Sequence, residues 1–267
     1  EGQSASGADG VCMVMKAVLS DELPKAVSGL NQQAEFKQTE IGLVPIDWEL
    51  RPLLSVVSIV SGQVNPQENP YQSMILVAPD HVETRSGRLL EKRTAREQRA
   101  KSGKYRFEPG DIVYSKIRPY LRKAVLADFS GLCSADMYPL RPSPDIAPGY
   151  VFAVILGEHF SRYAESVSVR SGMPKINRLE LADCFIALPP TRAEQDAIAT
   201  ALRDADRHIE ALEKSIEKKR LIKQGAMQEL LSGRRRLPGF NDEWRRVPLG
   251  TVAEISTGSR NNQDKVS

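Results

Sequence analysis

A tryptophan-centred pattern occurs twice in this 267-residue chain, and it sets the unit from which any fold must be built. The stretch Pro45-Ile-Asp-Trp48-Glu-Leu-Arg-Pro52-Leu53-Leu-Ser-Val56-Val-Ser-Ile59-Val-Ser-Gly62 is answered by Asn241-Asp-Glu-Trp244-Arg-Arg-Val-Pro248-Leu249-Gly-Thr-Val252-Ala-Glu-Ile255-Ser-Thr-Gly258. One offset of 196 residues carries Trp48 to Trp244, Pro52 to Pro248, Leu53 to Leu249, Val56 to Val252, Ile59 to Ile255 and Gly62 to Gly258. The repeat predicts one complete unit of about 200 residues followed by the opening of a second. A chain of this length exceeds one ordinary domain and falls short of two.

The strongest periodic signal follows the pair Pro189-Pro190, which stiffens the exit from the preceding region. Thr191-Arg-Ala-Glu194 fits a capping box, with the Thr hydroxyl accepting from the third helical residue and the Glu reaching back to the cap. Apolar residues then recur at Ile198, Leu202, Ala205, Ile209, Leu212 and Ile216, in steps of 4, 3, 4, 3 and 4. That is a heptad seam, which keeps one stripe against a partner helix. Lys219 and Lys223 occupy the next two seam positions before Ala226 and Leu230 resume it, or Leu221 and Ile222 take it over, and Gly233 supplies a stop. A helix over 191–233 would reach on the order of 60 Å, longer than a globule of this size needs, so it is read as a coiled-coil spacer. Ile198, Leu202, Ile209, Leu212 and Ile216 are assigned to helix pairing.

Upstream, short β-like runs alternate with turn residues, with candidate strands at Ser55–Val60, Met74–Ala78, Asp111–Ser115, Ala124–Ala127 and Phe185–Leu188. A helix is expected over 148–166. The fold class is therefore α/β in the mixed α+β sense: a globular domain followed by a long coiled-coil-forming helix. Hydrophobic residues at 41% and charged ones at 27% suffice for a packed core and exclude wholesale disorder. Residues 1–36 read as an extension, part tag remnant or disordered, and carry no signal-peptide pattern. No apolar run is long enough to span a membrane. Cys12, Cys133 and Cys184, with three histidines, fit no disulfide ladder and no zinc spacing, which points to a reducing cytoplasm. Cys133 and Cys184 stand in apolar company and read as core residues.

The net charge of +3 conceals a regional excess. Between His81 and Lys123 there are thirteen basic side chains against five acidic ones, interleaved with Tyr105, Tyr114 and Tyr120. Such a stretch can neutralise phosphates and offer donors to base edges. Signatures of catalysis are missing: no phosphate-binding GxxxxGK[ST] loop, no GxGxxG and no HExxH. Asn69-Pro70-Tyr71 lacks the second proline of an amino-methyltransferase motif, and Pro79-Asp80 has no Glu-x-Lys partner within reach to make a nuclease. His81, His159 and His208 are scattered and read as surface residues.

Several segments, taken together, resemble the DNA specificity subunit of type I restriction-modification systems. They are Lys37-Gln-Thr-Glu-Ile-Gly-Leu-Val-Pro-Ile-Asp-Trp48-Glu, Gly110-Asp-Ile-Val-Tyr-Ser-Lys-Ile-Arg118-Pro-Tyr-Leu-Arg-Lys, Ser171-Gly-Met-Pro-Lys-Ile-Asn177, Leu188-Pro-Pro-Thr-Arg-Ala-Glu-Gln195 and Lys223-Gln-Gly-Ala-Met-Gln-Glu-Leu-Leu-Ser-Gly233. The resemblance implies a target recognition domain over 37–190, a spacer helix over 191–233 and the start of a second recognition domain over 234–267. It departs from the family pattern in lacking a complete second half, and is read as a truncated or half-length form.

The resemblance further implies a non-catalytic subunit that reads one half of a bipartite double-stranded DNA target. It would dock adenine-N6 methyltransferase subunits and a restriction/translocase subunit, which carry S-adenosylmethionine, ATP and Mg; no cofactor or metal is assigned to this chain. A half-length form would pair as a homodimer through the long helix. The DNA-contact candidates are Lys92, Arg93, Arg96, Lys101, Arg106, Lys116, Arg118, Arg122, Lys123, Lys175 and Asn177. The alternative from the residues alone is a free-standing coiled-coil DNA-binding regulator without methyltransferase partners.

Overall fold

Phe36–Thr39 (β1) and Gly42–Pro45 (β2) form an antiparallel hairpin that leads into Glu49–Pro52 (β3). The computed structural model describes residues 35–169 and 172–254. Cys12, Ser171, Ile255 and Gly258 and nearly all of the N-terminal extension fall outside them. The chain divides into one unit ending at Asp206 and another beginning at Arg207.

In the first unit, a helical turn Leu53–Val56 (α1) precedes short strands Val57–Ile59 (β4), Gln63–Val64 (β5), Ile75–Val77 (β6), Lys104–Phe107 (β7), Ile112–Ser115 (β8), Ala124–Leu126 (β9), Gly131–Cys133 (β10) and Met137–Pro142 (β11). Helices Pro148–Leu156 (α2), Glu158–Ser168 (α3) and Arg178–Ala182 (α4) follow, then Phe185–Leu188 (β12) and the long helix Arg192–Leu231 (α5). Among the described residues the strands make a sheet in the order β5-β7-β10-β6 and another in the order β4-β11-β8-β9. β6 and β10 run parallel and the other pairings in these sheets are antiparallel. β12 closes the domain against β3, tying its last strand to the segment that follows the β1–β2 hairpin.

Helices α2 and α3 bury Tyr150, Val151, Ile155, Phe160 and Ala164 in the larger core, with Ile112, Tyr114 and Leu140 from the second sheet. A second cluster between the sheets holds Val77, Phe107, Val113, Cys133 and Met137. Burial pushes the Cys133 and Cys184 thiols up to about 12, so both are inert core residues, as their neighbours in sequence suggested.

Four of the expected strands are present. The first is shortened, because Leu53 and Val56 both turn into the core at helical spacing and only Val57–Ile59 is extended. The expected helix over 148–166 is two helices: Gly157 is extended, its N–H ends α2 on the Val154 carbonyl at 3.0 Å, and its own carbonyl opens α3. β11 went unpredicted because Pro139 stands in its middle. Proline cannot donate to a ladder, yet Pro139 lies opposite Val113 and its carbonyl accepts the Val60 N–H at 2.9 Å.

The root of α5 is locked to the globule. Gln195, 2% exposed, accepts from the Ala147 N–H at 2.9 Å and donates to the Pro189 carbonyl at 3.2 Å. Half of the expected capping box forms: Glu194 N–H donates to Thr191 Oγ1 at 3.2 Å. The Glu194 carboxylate instead accepts from the Trp48 indole N–H at 3.1 Å, so the repeated tryptophan is an anchor for the helix. Ile198 packs against the larger core and thus serves its own globule rather than a partner helix. From Leu202 onward the stripe is open: Leu202, Ile209, Leu212 and Ile216 are each about half exposed.

In the second unit, Gly233 takes the left-handed conformation at φ 72° after the helix, and Trp244 packs beside it under the Arg236 guanidinium. Pro248 again leads directly into a helical turn, Leu249–Thr251, as Pro52 leads into α1. Both repeated prolines thus precede a short helical turn. Leu53 and Val56 are buried, whereas their counterparts Leu249 and Val252 are exposed.

Candidate nucleic-acid interface

Beyond β8 the chain continues as Lys116-Ile-Arg118, and the segment Pro174–Ile176 lies alongside it. Arg118 N–H donates to the Pro174 carbonyl at 2.8 Å and Ile176 N–H to the Lys116 carbonyl at 2.9 Å, with Ile117 opposite Lys175. Two sequence motifs more than fifty residues apart are thus brought side by side. Tyr138, from neighbouring β11, lies beneath them: Lys116 Nζ is 5.1 Å and the Arg178 guanidinium 6.0 Å from its ring centroid. Burial raises the Tyr138 hydroxyl above its usual range, so the ring remains neutral beneath these two cations.

The candidate cations fall into two groups. Some are tied down. Arg122 pairs with Glu158 at 2.5 Å, and the Arg122 and Arg162 hydrogen bonds hold that carboxyl below the usual range. Lys123 donates to the Pro79 carbonyl at 2.7 Å. Arg93 pairs with Glu91 at 2.9 Å, Arg106 with Glu108 at 3.6 Å, and Lys92 with Asp128 at 3.8 Å beside the Phe129 ring. Arg96 Nε donates to Gln72 Oε1 at 3.2 Å. Asn177 caps α4: its side-chain oxygen accepts from the Glu180 N–H at 3.0 Å, leaving only its amide NH2 to offer outward.

Others are free. The side chains of Lys101, Arg118 and Lys175 are exposed and make no hydrogen bond or ion pair among the described residues. Arg85 and Arg99, not singled out from the sequence, share that state. Arg99 joins Arg96, Lys101, Gln67 and Gln72 around a cleft of about 270 Å³ that no carboxylate lines. Arg85, Arg99, Arg118 and Arg122 are the non-glycine residues with positive φ among the described residues, at 67°, 52°, 49° and 48°. This left-handed geometry costs a non-glycine residue roughly 1–2 kcal/mol. The sequence gives no sign of it, since Asn and Gly are its usual markers and arginine is not.

Two readings from the sequence, those of His81 and Lys104, need correction. His81 is not a surface residue: its side chain is 11% exposed and Nδ1 accepts the Ala78 N–H at 3.1 Å. Lys104, counted in the basic stretch, is buried, donates to Ser102, and has its amine pushed down by that burial. Asp111 is structural: it is buried, bonded twice by Arg141 at 2.8 Å, and accepts from the Glu108 N–H. Among the described residues, no helix is long and apolar enough to cross a membrane.

Known proteins resemble this chain in both sequence and fold. The chain is 32% identical over 186 residues to the type I restriction enzyme EcoDI specificity subunit of Escherichia coli, covering 70% of this chain and 41% of that one. It is 26% identical over 226 residues to the type I restriction enzyme MjaVIII specificity subunit of Methanocaldococcus jannaschii, covering 80% and 52%. The chain thus spans about half the length of the curated relatives it matches. Its fold is similar to that of an HsdS subunit from Thermoanaerobacter tengcongensis, with a TM-score of 0.53 at 20% identity over 75% of this chain and 52% of that one. It is also similar to a chain solved in work on complex assembly and conformational transition of the type I R-M system, with a TM-score of 0.59 at 21% identity over 78% and 55%. The family pattern described as the type I restriction modification DNA specificity domain matches residues 45–221, two-thirds of the sequence and all of the elements from β3 into the long helix, so the chain belongs to that family.

Proposed function

We propose that the first unit reads one half of a bipartite DNA target and that α5 is the spacer linking that half to another recognition domain. The carrying observation is the basic group at one place in the fold: Lys116, Arg118 and Lys175 on two paired backbone segments, with Lys116 and Arg178 over the Tyr138 ring. Fixed cations can hold a duplex in register through its phosphates, while side chains beside them reach base edges. The chain assigns no residue of its own to catalysis. Methyl transfer from S-adenosylmethionine to adenine, and ATP- and Mg-dependent translocation, belong to methyltransferase and restriction subunits docked on it. Recognition is the task of this chain, in the cytoplasm.

The half-exposed stripe from Leu202 to Ile216 supports pairing of α5 with a second long helix, either within a longer subunit or from a second copy. Fluorescence anisotropy with duplex DNA across a salt series tests the recognition reading. Binding is expected to weaken steeply with salt, and a flat salt response or no binding would overturn it.

A further inference from the structure

Arg118 and Asp136 line one cleft of about 360 Å³, together with Pro79, Asp80, Ser115 and Lys123. We infer that this cleft reads a single G·C base pair, the guanine through the Arg118 guanidinium and the cytosine amino group through the Asp136 carboxylate. The inference rests on the DNA-reading function proposed above and assigns base readout within it.

Four observations carry it. The Arg118 guanidinium is exposed and unpaired among the described residues, so its fork of donors is available. Its backbone is held at both sides, by its own N–H to the Pro174 carbonyl at 2.8 Å and by the Leu121 N–H to its carbonyl at 2.9 Å. A phosphate contact tolerates a mobile cation, whereas bidentate recognition of guanine O6 and N7 requires a placed one. Arg118 also adopts left-handed backbone, at φ 49° and ψ 59°, where glycine or asparagine would rest more easily. Finally, Asp136 is exposed on the same cleft, and its carbonyl accepts the Lys116 N–H at 3.0 Å, which places it across the strand pair from the basic segment. A carboxylate on a phosphate-facing surface repels DNA unless it meets a donor, and the cytosine N4 amino group is the donor that lies beside guanine in the major groove.

The test is selection of bound sequences from a random duplex pool by the full chain, followed by affinity measurements on single-position variants of the selected duplex. The wild-type chain should select a sequence containing a G·C pair that prefers guanine over adenine by roughly 10- to 100-fold. Arg118→Gln should move that one position toward adenine, since glutamine pairs with adenine N6 and N7. Arg118→Gly, which suits the left-handed backbone, should erase the preference there and leave the other positions intact. Asp136→Ala should weaken discrimination at the same pair. If both Arg118 variants bind every duplex equally weakly with the selected sequence unchanged, Arg118 is a phosphate contact and the inference fails. A changed preference at a different position in Asp136→Ala would remove the shared base pair. A wild-type chain that binds duplex but enriches no sequence would instead overturn the function on which the inference rests.

Discussion

Gln195 is the polar residue on which the joint between globule and helix depends. Both ends of its buried amide are bonded to backbone, one to Ala147 and one to Pro189. Gln195→Ala would strand a buried N–H and a buried carbonyl, and unfolding in urea should show a loss of about 1–3 kcal/mol. The buried acids make a second prediction. Cys133 and Cys184 titrate near 12 in the fold against an ordinary value of 9, and burial also raises the Tyr114 and Tyr150 hydroxyls. In each case the unfolded chain loses its proton first. The stabilisation is therefore complete below about pH 9 and lost as pH rises toward 12, by roughly 2 kcal/mol per thiol near pH 10.5. Melting temperature should fall steeply above pH 9, and replacing both thiols with alanine should flatten that limb. Residue roles were only partly legible in the sequence. Positive charge marks Arg118 and Arg122 alike, but whether a guanidinium faces solvent or a carboxylate depends on α3, which brings Glu158 to Arg122 from 36 positions away.

Elements were more legible where one physical rule acted alone. The long helix was readable because its heptad spacing needs no tertiary context, and the structure places it at Arg192–Leu231. Strands β7, β10 and β11 were not, since charges, a glycine and prolines interrupt their alternation and only cross-strand partners define them. Gly131 in β10 illustrates the point: a Cβ there would lie 2.8 Å from the Ile75 carbonyl and collide with the Phe107 ring. Gly131→Ala should therefore destabilise the globule by about 1–3 kcal/mol in thermal or urea unfolding. The helix answers to a different measurement. Ile209 lies on its exposed stripe, so if α5 pairs with a second copy, Ile209→Asp should abolish that pairing, read as a fall in mass by light scattering, while the melting temperature of the globule is unchanged.

At the scale of the molecule, a bland net charge of +3 proves a poor guide because its parts differ so much in availability. Lys104 is buried, Arg93 and Arg106 are paired, and Lys101 and Lys175 are open to solvent. Lys101→Ala and Lys175→Ala should each reduce the slope of log affinity against log salt by about 0.9 if the residue meets a phosphate. Arg122→Ala should leave that slope alone and lower the melting temperature, since its partner is Glu158. The left-handed arginines bear on how such a protein changes over generations. A point mutation at Arg118 alters an outward side chain on a turn without touching a sheet, but only glycine, asparagine and aspartate tolerate that backbone well. The set of residues that can replace Arg118 without adding backbone strain is therefore narrow, so most single changes at this codon carry a stability cost whatever they do at the surface.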